Sequence, residues 1–289
     1  MLLGFAENEK QAQALAKALA MPYAGITVHR FPDSESKLTL PLNLPAHVVI
    51  CRSLDRPNDK LIELLLAAKT AHELGASRLT LVAPYLCYMR QDMAFKPGEA
   101  ISQKIIGNFI ADLFDDVITV DPHLHRTHDM AEAIPAVHSI AVSAGPAISK
   151  FLCSQNKPVL IGPDSESQQW VQDIAERSDL EYGVGNKTRL GDCEVKISLP
   201  EISLQARNVV LIDDVVSSGE TMATTAQLCL ASGASRVDIM VTHPLFAAGA
   251  EERLHHVGVK NIWSSDSIPH PSNAISLATL IANEIKALN

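Results

Sequence analysis

Short runs of Val, Ile and Leu punctuate this chain: HVVICRS at 47–53, RLTLVAPY at 78–85, DVITVD at 116–121, PVLIGPD at 158–164, VVLIDD at 209–214 and RVDIMVTHP at 236–244. Apolar at successive rather than alternate positions, they predict strands buried on both faces. The segments between them change period. In PNDKLIELLLAAKTAHELGA, residues Leu61, Leu64, Leu65, Ala68 and Ala71 recur at helical spacing, opening at Pro57 and stopping at Gly75. Strands alternating with helices predict an α/β fold with mainly parallel sheets. One echo adds to this: ELGASRLTLVAPY (73–85) and ASGASRVDIMVTHP (231–244) each place GASR between a helix and a strand. A duplicated strand-helix-strand unit accounts for both, and so for two like domains, 1–145 and 146–289, joined near SAGPAISK at 143–150.

Composition supports two domains, since 289 residues at 47% apolar content exceed one ordinary core. The net charge of −9, with both signs interspersed, excludes a broad basic surface for nucleic acid. An anionic ligand must therefore meet a local basic pocket. The opening MLLGFAENEKQAQ is too short an apolar run for a signal peptide, and no stretch approaches the about 20 apolar residues of a membrane helix. The five cysteines, Cys51, Cys87, Cys153, Cys193 and Cys229, are dispersed without a CxxC pair, as in buried thiols of a reducing compartment. A cytoplasmic protein is expected.

The richest chemistry lies in VVLIDDVVSSGET at 209–221, where a buried strand runs into adjacent carboxylates and then into small residues. Ser217, Ser218, Gly219, Glu220 and Thr221 would offer backbone N–H groups, hydroxyls and a helix N-terminus to one point, which suits a phosphate. Asp213 and Asp214, at the carboxyl end of a strand, suit ribose hydroxyls, held directly or through a hydrated Mg2+. A merely capped helix needs one Ser or Asp, not two acids and a run of small residues. Asp121 and His123 in VDPHLHR, two apart, would share one side of an extended chain and could together hold Mg2+. His125 and His128 lack the further spaced ligands of a zinc site and read as solvated or supporting groups. His255 and His256 read as helix surface, and GVGNKT (183–188) fails the P-loop spacing because Asn186 stands where glycine is required.

The 209–221 stretch resembles the phosphoribosyl diphosphate binding loop of type I phosphoribosyltransferases and of ribose-phosphate diphosphokinases. FPDSE (31–35), YMRQDMAFKPGEAIS (88–102), VDPHLHR (120–126), PDSES (163–167) and NKTRLGDCEV (186–195) resemble further segments of the diphosphokinases, in the same order and over nearly the whole chain. The chain is thus identified as similar to the ribose-phosphate diphosphokinase family. The resemblance implies two type I phosphoribosyltransferase-like domains, ATP and Mg2+ on the first and ribose 5-phosphate on the second. It implies ATP contacts from Phe31, Asp33, Glu35, Arg90, Gln91, Asp92 and Lys96, with Phe31 stacked on adenine and Asp33 and Glu35 accepting from its amino group or reaching a neighbouring loop. It also implies metal contacts from Asp121, His123 and Asp164, and transition-state cations at Lys187 and Arg189. The FPDSE segment would serve an adjacent subunit, so a homo-oligomer of at least two chains is expected. Two departures stand out: Ser34 where the family often has glycine, and Ser165, Glu166 and Ser167 where it has small residues. A phosphoribosyltransferase would have no use for FPDSE and YMRQD, and a catalytically silent regulatory homologue would have lost cations that Lys187 and Arg189 retain.

Overall fold

The structure, a computed structural model, describes residues 1–124, 129–189 and 195–288, leaving aside the side chains of residues 187–189, 195 and 196. It divides into two compact units, Met1–Ser143 with Ser267–Pro269 and Ala278–Asn289, and Ala144–Asp266 with His270–Leu277. The first contains β1 (Leu2–Phe5), β2 (Tyr23–Arg30), β3 (Ser36–Thr39), β4 (His47–Cys51), β5 (Arg78–Ala83), β6 (Asp116–Val120) and β7 (His138–Val142), ordered β3-β2-β1-β4-β5-β6-β7. Only the β2–β3 hairpin is antiparallel. The second contains β8 (Val159–Gly162), β9 (Tyr182–Val184), β10 (Asn186–Arg189), β11 (Val195–Ser198), β12 (Asn208–Val216), β13 (Arg236–Pro244), β14 (Ile262–Ser265) and β15 (Asn273–Ile275). Its sheet runs β15-β14-β13-β12-β8-β9, all parallel, with β10 and β11 as a separate antiparallel ribbon.

The predicted strand runs all become strands, and β4, β5, β6, β8 and β13 are buried along nearly their whole length. In the helix Pro57–Glu73 the expected stripe turns inward except Leu65, which is half-buried, and Glu63 joins the buried face. One expectation needs correction. Of the expected junction at 143–150, residues 145–150 lie in a helix, Gly145–Leu152, with proline in its first turn and Ile148, Ser149 and Leu152 buried. Proline with glycine reads as a break, yet in the first turn of a helix the missing N–H is no loss. The C-terminal helix Ala278–Ala287 packs on Glu9–Leu19 in the first unit, where the Lys286 ammonium donates to the Ala18 carbonyl at 2.8 Å.

The repeated GASR has a common physical cause. Gly75 and Gly233 follow helices Pro57–Glu73 and Glu220–Ala231 with φ of +111° and +89°. The Ala76 N–H donates to Ala71 O and the Gly75 N–H to His72 O; in the second copy Ala234 donates to Cys229 O and Gly233 to Leu230 O. Both are Schellman caps, which close the last helical turn through a residue of positive φ. The serine N–H then joins the edge of the next strand, Ser77 donating to Ala46 O and Ser235 to Arg207 O. Alanine at either glycine is strained, so Gly75→Ala and Gly233→Ala should each lower unfolding free energy by roughly 1–2 kcal/mol in urea titration. Undiminished stability in both would remove the cap as the reason for the repeat.

Candidate active site

In the second unit, β8 and β12 pair in parallel through Val209 with Val159 and Leu211 with Ile161, so both deliver their following residues to one edge of the sheet. Asp164 follows β8, and its carboxylate accepts from the Glu166 N–H at 3.1 Å. Asp213 and Asp214 lie on β12, which continues past them to Val216 rather than ending at the pair. Asp214 is buried and Asp213 partly so. Burial pushes the Asp213 carboxyl well above the ordinary carboxylate range, and the charges of Asp214 and Asp164 push it further. Three acids drawn from two segments, β12 and the loop after β8, thus act on one point.

The next three residues turn the chain into the helix Glu220–Ala231. Gly219 takes φ +74° there, which explains glycine better than space does, since an added Cβ would meet only ordinary contacts. The carbonyls of Val216 and Ser217 are tied back by the N–H groups of Phe246 and Ala247 at 3.0 and 2.9 Å. The hydroxyls of Ser217 and Ser218 are both exposed at the start of the helix, where Ser218 Oγ accepts weakly from the Glu220 N–H at 3.5 Å. Glu220 is drawn off by Arg253, whose guanidinium donates to it at 3.0 Å, so its charge does not occupy the turn. Thr221 sits half-buried in the first helical turn.

Lys187 and Arg189 fall on β10, and their side chains lie outside the described residues. The root of that strand is fixed. The Gly185 N–H donates to Gly162 O at 2.8 Å, and a Cβ on Gly185 would come within 2.6 Å of the Pro163 carbonyl. The strand expected to carry the catalytic cations therefore starts against the loop that carries Asp164.

In the first unit Arg90, Gln91 and His123 line a cavity of about 290 Å³ together with Tyr85, Tyr88 and Ser102. The buried side chain of Gln103 holds the 89–91 segment, donating to Met89 O at 3.3 Å, while its own N–H donates to Gln91 O at 3.2 Å. Lys96 is exposed in a turn whose N–H groups at Phe95 and Lys96 donate to Glu99 at 2.8 and 3.1 Å. Asp92 is half-buried beside them in sequence. The extension assumed between Asp121 and His123 does not persist: Asp121 takes φ +35° and the Leu124 N–H closes back on Pro122 O. His123 reaches the cavity and Asp121 is not among the residues lining it. His125 and His128 lie outside the described residues, and His255 and His256 are exposed on a helix.

Residues 31–35 form the tip of the β2–β3 hairpin and do not line that cavity. The Phe31 N–H donates to Glu35 O and the Ser34 N–H to Phe31 O at 2.8 and 2.9 Å, with the Asp33 carboxylate accepting from the Glu35 N–H at 3.2 Å. Phe31 is 42% exposed, its ring edge-on to His29 at 5.0 Å. Ser34 takes φ +74°, the conformation for which glycine is the natural residue. Sequence reasoning missed Gln103 and Tyr88, the latter with φ +60° at the cavity wall; a polar residue opening an apolar helical run was the available signal for Gln103.

Mg2+ usually keeps several waters and binds through one or two carboxylates plus substrate phosphates. Among the described residues no group of three or more His, Cys, Asp or Glu could hold a metal ion directly. The crowding of Asp164, Asp213 and Asp214, which raises the Asp213 carboxyl, fits a hydrated, substrate-borne cation and not a fixed protein cage. Among the described residues no helix is long and apolar enough to cross a membrane.

The profile of the N-terminal domain of ribose phosphate pyrophosphokinase matches residues 1–113, and that of the phosphoribosyl transferase domain matches residues 137–273. A ribose-phosphate pyrophosphokinase of Methanopyrus kandleri is 31% identical over 100% of this chain and 99% of its own. One of Saccharolobus solfataricus is 32% identical over 93% of each. A solved structure of phosphoribosylpyrophosphate synthetase from Mycobacterium smegmatis shares the fold, with a TM-score of 0.84 over 100% of this chain and 98% of that one at 21% identity.

The electrostatics of Asp213 yield a test. Its folded pKa is raised, so the folded state loses stability as pH climbs above the ordinary carboxylate value of about 4, and the loss is complete once pH passes the raised value. Asp213→Asn should therefore be more stable than the parent above neutrality by about 0.5–2 kcal/mol, the gain disappearing toward acid pH, while activity falls. Calorimetry of the ligand-free proteins across pH checks this; a less stable variant above neutrality would place Asp213 in a compensated ion pair instead.

Proposed function

This chain belongs to the ribose-phosphate pyrophosphokinase family, and we propose how its residues divide that reaction between nucleotide and sugar. The enzyme transfers the diphosphoryl group of ATP to the C1 hydroxyl of ribose 5-phosphate, giving 5-phosphoribosyl 1-diphosphate and AMP. The observation that carries the residue assignment is the carboxyl edge of the second sheet, where Asp164, Asp213 and Asp214 meet a glycine turn opening a helix. There Asp213 and Asp214 hold the ribose hydroxyls, and residues 217–221 take the 5-phosphate with N–H groups, hydroxyls and the helix dipole.

The nucleotide falls to the first unit. Phe31 stacks on adenine, Glu35 and the free oxygen of Asp33 accept from its amino group, and Arg90, Gln91, Asp92 and Lys96 surround the triphosphate. On the first unit Mg2+ bound with ATP would meet Asp121 and His123, Asp121 being the apter donor for so hard a cation, and would neutralise phosphate charge; Asp164 is the candidate metal contact on the second unit. The C1 hydroxyl attacks the β-phosphorus, the bond to the α-phosphate oxygen breaks, and charge spreads over the transferring oxygens. Lys187 and Arg189 stabilise that charge.

A nucleobase phosphoribosyltransferase would share the 217–221 loop, but it is disfavoured by the N-terminal profile over residues 1–113 and by relatives matched along their full length. We further propose a homo-oligomer of at least two chains, supported by Phe31, Leu42 and Ile62 standing exposed on the first unit. A cytoplasmic location is supported by Cys51, Cys87 and Cys229, buried and outside any disulfide, with Cys153 exposed and likewise outside one; Cys193 lies outside the described residues.

The direct test is AMP release from ATP, which should require both ribose 5-phosphate and Mg2+ and should stop on chelation by EDTA. Lys187→Ala and Arg189→Ala should each lower single-turnover AMP formation about 100- to 1,000-fold with modest change in substrate affinity. Combined, the losses should fall short of multiplicative if both cations serve one group. A near-normal chemical step in Lys187→Ala would make this segment a surface turn.

A further inference from the structure

We infer that Glu63, through Ser36 and Arg30, is a positioning residue that sets the hairpin tip carrying Phe31, Asp33 and Glu35. The inference rests on the reading of that tip as an ATP contact.

Arg30 and Ser36 are the residues immediately before and after the tip, and they are cross-strand partners at the end of the β2–β3 ladder. Both converge on a single oxygen. Glu63 Oε1 accepts from Ser36 Oγ at 2.8 Å and from Arg30 Nη2 at 3.2 Å. Glu63 lies on the helix Pro57–Glu73 and is 1% exposed. A buried carboxylate is tolerable only when paired, and its other oxygen, Oε2, accepts from the buried guanidinium of Arg52. Arg52 is fixed in turn by Glu7 at 2.8 Å, by the Lys60 carbonyl at 3.3 Å and by the Phe5 ring, 3.7 Å from its guanidinium carbon. Burial pushes the Glu63 carboxyl up, but the bonds from Arg52 and Ser36 and the charges of Arg52 and Arg30 outweigh it and leave the pKa lowered. The anchor is therefore charged at every pH except strongly acid ones, and is lost only as pH falls through that lowered value.

Glu7, Arg30, Arg52 and Glu63 line a cavity of about 430 Å³ together with Asp55, Arg56, Asp59 and Lys60. It is no anion site by composition: the carboxylates of Glu7, Asp55, Asp59 and Glu63 stand against the cations of Arg30, Arg52, Arg56 and Lys60, with Lys60 paired to Asp55 at 2.7 Å and Arg30 to Asp59 at 2.8 Å. What the charges do achieve is rigidity at the two residues from which the tip springs. A tip anchored only by its strand would pivot at the ladder's end; one carboxylate gripping both legs prevents that.

Ser36→Ala removes one grip and leaves the buried Glu63–Arg52 pair intact, so it avoids the folding loss that Glu63→Gln risks. It should raise the Michaelis constant for ATP about fivefold, the worth of one hydrogen bond, with that for ribose 5-phosphate and the melting temperature nearly unchanged. Ser36→Thr, which keeps the hydroxyl and suits a strand, should restore it. Phe31→Ala serves as the reference for the tip itself. If Phe31→Ala weakens ATP use and Ser36→Ala does not, or if Ser36→Ala weakens both substrates alike, Glu63 is merely structural and the inference falls. If Phe31→Ala also leaves ATP use unchanged, the ATP reading of the tip fails, and the inference with it.

Discussion

A carboxyl group pushed well above its ordinary pKa by burial and by two neighbouring acids is the condition on which the second unit turns. Asp213 could not persist in a loose loop, where it would swing into water and away from Asp214 and Asp164. It persists because β12 is clamped between β8 and β13 over a long register, and because Val209, Leu211, Val237 and Ile239 around it are buried without remainder. The apolar sheet supplies the constraint, and the acids at its edge carry the strain. Such strain is relieved by a cation and by ribose hydroxyls, which is the physical link between the fold and the sugar site proposed for it.

The first unit handles buried charge in the opposite way. Glu63 and Asp116 are each 1% exposed, yet both carboxyls lie below their ordinary range. Burial alone would push Asp116 up; Arg78, His138 and Thr80 all bond to it, at 2.8, 2.7 and 2.8 Å, and reverse the sign. Compensated acids of this kind lock elements together. The uncompensated acid marks where something else must bind. The contrast separates structural from ligand-directed carboxylates more sharply than burial does, since all of them are at least partly buried.

How far this was legible in the sequence follows from the range of each cause. The parallel core was legible because a strand buried on both faces must be apolar throughout, whatever its neighbours. GASR was legible as a repeat because a Schellman cap is local, needing only a glycine of positive φ after a helix. The helix Gly145–Leu152 was missed because its proline serves as a first-turn residue only in a context that composition does not reveal. Glu63 was hidden for a related reason: its partners Arg30 and Ser36 come from β2 and β3 and Arg52 from just past β4, so nothing near it in the helix signals a paired charge. The turn at Asp121 is likewise tertiary, its N–H being taken by Val142 O at 3.0 Å from the neighbouring strand end.

Ser34 joins these two kinds of cause. Its φ of +74° is one that a residue with a Cβ adopts at a penalty of about 1 kcal/mol or more, and glycine would remove the penalty. A tip built on glycine is also a freer tip, because the unfolded and partly open states gain most from that freedom. With serine the tip has fewer alternatives, and it is held by the Asp33 carboxylate on the Glu35 N–H at its crown and by the Glu63 carboxylate at its root. The departure from glycine is thus absorbed where the hairpin is most firmly bonded. A tip proposed to present an aromatic face and two acids to a nucleotide would gain from that stiffness, since less ordering would remain to be done when the base arrives.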